Sequence, residues 1–246
     1  MSSEQLQSFM IPGSGYGYTG AAIQTLTSFE NTIAMGLLDE SGSTTSYAKP
    51  MEETVKNIIK SLRKNPRADN LIYRQSHFAT NYREHHGFMP LGQINEKQYD
   101  DCYKPGGATH LYDACDRSLR EMIDYAEKQL EKKFLCNGIL YIITDGCDYG
   151  STLTQNDVKA ALAKAISCEA LESLVTILIG VNDDPQIQKN LKKFQENVGF
   201  TAYYEMGQAD EASLAKLTNG ISQSISSQSQ ALGTGGPSQQ IQSLTF

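Results

Sequence analysis

The chain has 246 residues, of which 39% are hydrophobic and 20% charged, with a formal net charge of −7. That balance suits a folded domain with a sizeable core and argues against nucleic-acid binding, which draws on a basic face. No apolar run reaches the roughly 20 residues that span a membrane, and the start, MSSEQLQSFMIPGSGYG, has no basic and apolar leader, so neither a membrane segment nor a signal peptide is expected. The five cysteines, Cys102, Cys115, Cys136, Cys147 and Cys168, are odd in number and lack CxxC spacing. They read as free thiols, which points to a reducing, cytoplasmic setting.

In chain order, residues 1–30 are polar and glycine-rich and read as a flexible or capping N-terminal extension. GYGYTG (15–20) matches GxGxxG in form only, because a dinucleotide fingerprint needs a buried strand before it and an acid about 20 residues on. Asn31–Asp39 reads as a buried strand. Met51, Val55, Ile58, Ile59 and Leu62 recur at helical spacing. Leu71–Phe78 is a second strand and Tyr82–Leu91 a third, an edge hairpin partner. After a loop with Pro105-Gly106-Gly107, the positions Leu111, Ala114, Leu119, Met122, Ile123, Ala126 and Leu130 mark a long helix. Gly138–Ile143 is an apolar strand ending at Thr144-Asp145-Gly146. Val158, Leu162 and Ile166 mark a helix, and Leu174–Val181 a further strand. Asp184-Pro185 is an N-cap with proline at the first helical position, Thr201–Glu205 a last short strand, and Leu214, Leu217, Ile221 and Ile225 the face of a final helix. No charged side chain follows Lys216, and residues 231–246 read as a flexible uncharged tail whose end, IQSLTF, is apolar enough to dock.

Apolar strands alternating with amphipathic helices mean an α/β fold with a mostly parallel sheet covered on both faces. In such a sheet ligands bind beyond the carboxyl ends of the strands. Three polar groups fall there: Asp39-Glu40-Ser41-Gly42-Ser43, Thr109 after Gly106-Gly107, and Asp145. Singly, the hydroxyls read as helix caps and Asp145 as a turn acid. Together, two carboxylates and three hydroxyls make an all-oxygen set suited to Mg²⁺ or Mn²⁺, with an open position for a carboxylate brought by an acidic partner. Glu40, His110, Tyr112 and Asp148 are expected on the rim of that site. The pair His85-His86 raises a softer metal, but successive residues of a strand point to opposite faces, so ordinary surface positions are expected.

The trio DxSxS, threonine and aspartate in this frame resembles the von Willebrand factor type A (vWA) domain and its metal-ion-dependent adhesion site (MIDAS), over roughly residues 30–228. The resemblance implies a Rossmann-like, three-layer domain (31–230) with a central sheet of about six strands. It implies that Asp39, Ser41 and Ser43 bind the ion or its waters, that Thr109 joins when a ligand is engaged, and that Asp145 binds directly or through water. The function it implies is a non-catalytic, metal-dependent protein-binding module, an adhesion or scaffold unit whose partner supplies an acidic residue. Two alternatives stand beside it. One is a structural subunit acting through its tail, with self-association through the Phe246 carboxylate. The other is a metal-dependent phosphohydrolase with Asp39 as nucleophile, which lacks a lysine at the strand ends to neutralise phosphate.

Overall fold

A computed structural model describes residues 6–26, 28–207 and 210–234. Its strands are β1 (Leu6–Met10), β2 (Gly17–Ala21), β3 (Glu30–Asp39), β4 (Leu71–Phe78), β5 (Tyr82–Pro90), β6 (Leu135–Thr144), β7 (Ser173–Val181) and β8 (Ala202–Met206). The helices are α1 (Ala48–Leu62), α2 (Leu111–Leu130), α3 (Gln155–Ile166), α4 (Pro185–Val198) and α5 (Glu211–Thr234). The strands form one mixed, mostly parallel sheet in the order β1-β2-β5-β4-β3-β6-β7-β8. β4–β3–β6–β7–β8 is the parallel block; β5 runs antiparallel to β4, and β1 antiparallel to β2.

Because successive side chains of a strand face opposite ways, the apolar strands feed two cores. Ile33, Met35 and Leu37 pack with α2, α3 and α4 on one face. Ala34 and Leu38 pack with α1 and α5 on the other. Helix α1 presents Met51, Val55, Ile58, Ile59 and Leu62, all buried, as its spacing predicts. Helix α5 buries Leu214, Leu217, Ile221 and Ile225. Beyond Ile225 a polar network holds it: the Asn137 amide donates to the Gln228 carbonyl at 2.9 Å, and Ser173 Oγ donates to Gln228 Oε1 at 3.0 Å. The helix thus runs four residues into the stretch expected as tail, and residues 235–246 lie outside the described residues.

The sheet has eight strands among the described residues, against about six expected, because residues 6–21 add a hairpin at one edge. β5 is consequently an interior strand. β2 meets it at Gly20 and Phe88, and the approach is close: a Cβ at Gly87 would stand 2.1 Å from the Thr19 carbonyl oxygen. Thr19 gives both its N–H (3.0 Å) and its hydroxyl (2.6 Å) to the Glu84 carboxylate.

Glu84 in turn contacts Arg74, a guanidinium in the interior of β4. Arg74 Nη2 lies 2.8 Å from Glu84 and Nη1 2.5 Å from the fully buried Glu121 of α2, close ion pairs in which no nitrogen is aligned for a hydrogen bond. The guanidinium also faces the rings of Tyr18 (5.5 Å) and Phe88 (5.0 Å). Hairpin, sheet and α2 therefore meet on one buried cation. Removing one partner of such a cluster leaves an uncompensated charge. Arg74→Met is expected to cost about 3–5 kcal/mol in urea unfolding, and adding Glu121→Leu to recover a large part of it; equal losses in the single and double variants would show that the ion cluster does not carry the hairpin's attachment.

Candidate functional site

β3 and β6 run parallel in register, with Leu38 opposite Ile143, so their carboxyl ends bring Asp39 and Thr144-Asp145 to one rim. Asp39 is 1% exposed. Its Oδ1 accepts the Ser41 N–H at 2.8 Å and its Oδ2 accepts the Thr144 hydroxyl at 2.6 Å. Ser41 Oγ and Ser43 Oγ are 3.1 Å apart, and Ser43 Oγ donates to Asp145 Oδ1 at 2.9 Å. One chain of polar contacts thus joins Asp39, Ser41, Ser43 and Asp145.

The loop before α2 closes over them. Gly106 N–H donates to the Glu40 carbonyl at 2.8 Å, and Gly42 N–H to the Gly107 carbonyl at 3.2 Å. Gly107 has φ +84°, and a Cβ there would stand 2.6 Å from Thr80 Oγ1, so the tight crossing requires glycine. Thr109 is buried, accepts the Tyr149 N–H at 2.8 Å through its carbonyl, and holds Oγ1 4.0 Å from the position of a Cβ on Gly146, next to Asp145.

The four residues expected on the rim are placed differently from one another. Glu40 turns inward: Arg83 Nε and Nη2 donate to its two oxygens at 3.0 and 2.5 Å, and His77 Nδ1 stands 3.0 Å away. Burial works to raise its pKa, yet His77 and Arg83 hold the carboxyl down at about 2. Asp148 accepts the Tyr112 N–H at 3.0 Å and the Ser151 hydroxyl, and so caps α2. The Tyr112 ring packs on Phe194 with centroids 5.0 Å apart, and its hydroxyl accepts from Gln155 at 2.9 Å. His110 is half-buried, with Nδ1 3.9 Å from Asp113.

Sequence reasoning did not find four supporting groups. Thr144 holds Asp39, the Tyr103 hydroxyl donates to the Asp39 carbonyl, and Asn182 donates to the Asp145 carbonyl at 2.6 Å. Tyr47 lies close enough that burial, with Asp145 next in weight, holds its hydroxyl well above the usual range. Of these, Thr144 alone carried a signal, its place beside Asp145.

The histidines also depart from expectation. His77 is fully buried and His86 nearly so. The pairs Gln75–His86 and Ser76–Glu84 leave His85 as the extra residue of a β-bulge. The bulge breaks the strict alternation, so the rings of His85 and His86 lie 5.7 Å apart, and those of His77 and His85 also 5.7 Å.

The electrostatics of the strand end are those of two neighbouring acids. Among the described residues neither Asp39 nor Asp145 forms an ion pair. Burial pushes the Asp39 carboxyl up to about 6, the hydrogen bonds from Thr144 and Ser41 oppose the rise, and Asp145 adds to it. Paired carboxylates and hydroxyls without a cationic side chain fit a bound divalent cation.

No protein-family model and no curated protein matches this sequence. Solved structures share its fold. The PilB minor pilin of Streptococcus sanguinis gives a TM-score of 0.59 at 13% identity, over 86% of this chain and 64% of that one. Proximal thread matrix protein 1 of the mussel byssus, with a zinc-occupied MIDAS motif, gives 0.55 at 17%, over 78% and 45%. The ArnB paralog VWA2 of Sulfolobus acidocaldarius gives 0.51 at 14%, over 89% and 53%. The chain spans less than two thirds of each, and the likeness carries the fold: it is of vWA type.

Two expectations are corrected. The cytoplasmic setting read from the cysteines is overturned by neighbours that belong to a pilus and a byssal thread, structures outside the cytoplasm. The magnesium or manganese assignment is overturned by the same byssal protein, whose MIDAS motif holds zinc, and by this chain's own chemistry. Among the described residues, the His, Cys, Asp and Glu side chains that converge in a group of three are His77, His85 and Cys102, a nitrogen and sulfur set that suits zinc rather than magnesium. No helix among the described residues is long and apolar enough to cross a membrane.

A folded-state pKa of about 6 against an ordinary 3.8 means that folded Asp39 holds its proton more tightly than the unfolded chain does. Its contribution to stability is then full below pH about 4 and lost as the pH rises through about 6, a shift equivalent to about 3 kcal/mol at most. In chelator, Asp39→Asn is therefore expected to be about 1–3 kcal/mol more stable than the parent near neutral pH, with the gap closing below pH about 4. Urea unfolding across that range reads it; a variant less stable at every pH would refute the assignment.

Proposed function

We propose that this chain is a non-catalytic, metal-dependent protein-binding module, and that Asp39, Ser41, Ser43, Thr109 and Asp145 hold a divalent cation at the carboxyl edge of the sheet. The observation that carries this reading is the polar chain from Asp39 through Ser41 and Ser43 to Asp145, in which two acids approach with no cationic side chain between them. A bound cation supplies the missing positive charge and a coordination position for an oxygen from outside. Zinc is the ion chosen for the test, because a structural neighbour carries it in its MIDAS motif.

The chain's own groups explain why the recruited group is a carboxylate. Ser41, Ser43 and Thr109 contribute oxygen without charge, so two acids leave a divalent ion little negative charge in excess. Glu40, the third acid of the motif, is neutralised by Arg83 and turned away. The rim therefore presents less negative charge to an acidic partner than DESGS suggests. The neighbours support adhesion or assembly over catalysis: a pilin and a thread matrix protein are structural parts.

The test is selection of a random peptide library on the zinc-loaded chain. The recovered peptides are expected to share an Asp or Glu, to lose binding in chelator, and to lose it at least tenfold on Asp39→Ala. Peptides that bind Asp39→Ala equally well, or that carry no acid, would falsify the reading.

A further inference from the structure

We infer that His77, His85 and Cys102 form a second metal site, a nitrogen and sulfur site fit for zinc, lying behind the oxygen-rich strand end and separate from it. A ring nitrogen of each histidine and the Cys102 Sγ lie within 4.8 Å of one another. A tetrahedral zinc site draws such atoms to about 2.0–2.3 Å from a shared centre, so the three need only a small inward closure.

Three observations converge on the site. First, the ligating atoms are left open. His77 Nδ1 faces the Glu40 carboxylate at 3.0 Å. A charged carboxylate only accepts, so Nδ1 carries the proton and Nε2 the lone pair. That Nε2 is buried without a hydrogen-bond partner. The His85 ring lies beside the backbone of Gln98, and its Nε2 is likewise buried without a hydrogen-bond partner. Two orphaned imidazole nitrogens in one place are costly unless something binds them.

Second, the supporting contacts are those of a ligating histidine. A metal-bound imidazole characteristically donates its other N–H to a carboxylate or a backbone carbonyl, which fixes ring and tautomer. His77 has the carboxylate, with Nδ1 3.0 Å from Glu40, and His85 has the backbone of Gln98 beside its ring. Arg83, the nearby cation that would repel a metal, is paired with Glu40 and donates to the Cys102 carbonyl at 2.9 Å. Third, the β-bulge at His85 turns that ring toward His77, and bulges recur where a side chain is re-aimed for function. Three protein ligands leave a fourth position for water or a small ligand.

The test uses Co²⁺ on the full-length, reduced, chelator-stripped chain. The expected result is an intense tetrahedral d–d spectrum with a thiolate-to-cobalt charge-transfer band, at one equivalent. Cys102→Ser is expected to abolish the charge-transfer band, and His85→Gln, at a half-buried position, to weaken uptake at least tenfold while the chain stays folded by circular dichroism. Asp39→Ala is expected to leave the spectrum unchanged, because a strand-end oxygen site gives no sulfur band; this separates the outcome from that of the reading above. Absence of the band in the parent, its persistence in both ligand variants, or its loss in Asp39→Ala would each overturn the assignment.

Discussion

The constraint on which this molecule turns is the parallel register of β3 and β6. Both strands are buried along nearly their whole length and take their stability from apolar contact with helices on two faces. Parallel strands in register must end together, so whatever polar residue closes one stands beside what closes the other. Here the closing residues are Asp39 and Thr144-Asp145. The hydrogen bond from Thr144 to Asp39 replaces part of the lost hydration, yet Asp39 remains an acid in an apolar place with a second acid nearby. A core that stops in this way carries a local cost that fits a binding site better than a structural turn.

The next residue resolves its own charge. Glu40 sits between Asp39 and Ser41 in sequence but looks the opposite way, into the space between β4, β5 and the loop after β5. There it meets Arg83 and His77. Alternation explains the division: Asp39 and Glu40 leave the strand on opposite sides, so one acid faces the sheet's edge and the other its flank. The two regions are also joined through the main chain. Tyr103 follows Cys102 and donates to the Asp39 carbonyl, while Glu40 holds His77. A change in the position of residues 102–103 or of His77 is therefore carried to the Asp39–Ser41 segment by two short covalent and hydrogen-bonded routes.

Much of the layered fold was legible because it rests on periodicity. Met51 to Leu62 spaces a helix, Ile139 to Ile143 an apolar strand, and Asp184-Pro185 a helix start that the structure shows with Asp184 accepting the Gln186 N–H at 2.7 Å. The N-terminal hairpin was not legible. Its strand GYTGA is small and polar, and it is held by Thr19 on Glu84 and by Tyr18 over Arg74, contacts between residues far apart in sequence. The strand-end cluster was legible because DESGS and TDG stop apolar runs abruptly. The histidine cluster was not, because a two-residue alternation rule fails at a bulge, and the bulge between β4 and β5 has no sequence mark. The compartment was misread for a different reason: free thiols describe the folded chain, and Cys102, Cys115 and Cys136 are buried whatever surrounds the protein.

The two clusters differ in the chemistry they favour, and that difference has a physical consequence. The strand-end set is oxygen-rich, partly open at the exposed Ser43, and built on loops that meet through single backbone hydrogen bonds such as Gly42 to Gly107. The flank set is mostly buried, with His77 and His85 on paired strands and Cys102 on the loop that follows, and it is braced by the Glu40–Arg83 ion pair. A rigid, dry nitrogen and sulfur set suits an ion that stays, whereas an open oxygen set suits one that shares its coordination with a visitor. The same stretch, Asp39-Glu40-Ser41, contributes to both: its first and third residues to the open site, and its middle residue to the brace of the closed one. On the two proposals above, the closed site fixes the strand end from behind, so that the open site meets an acidic partner with its geometry already set.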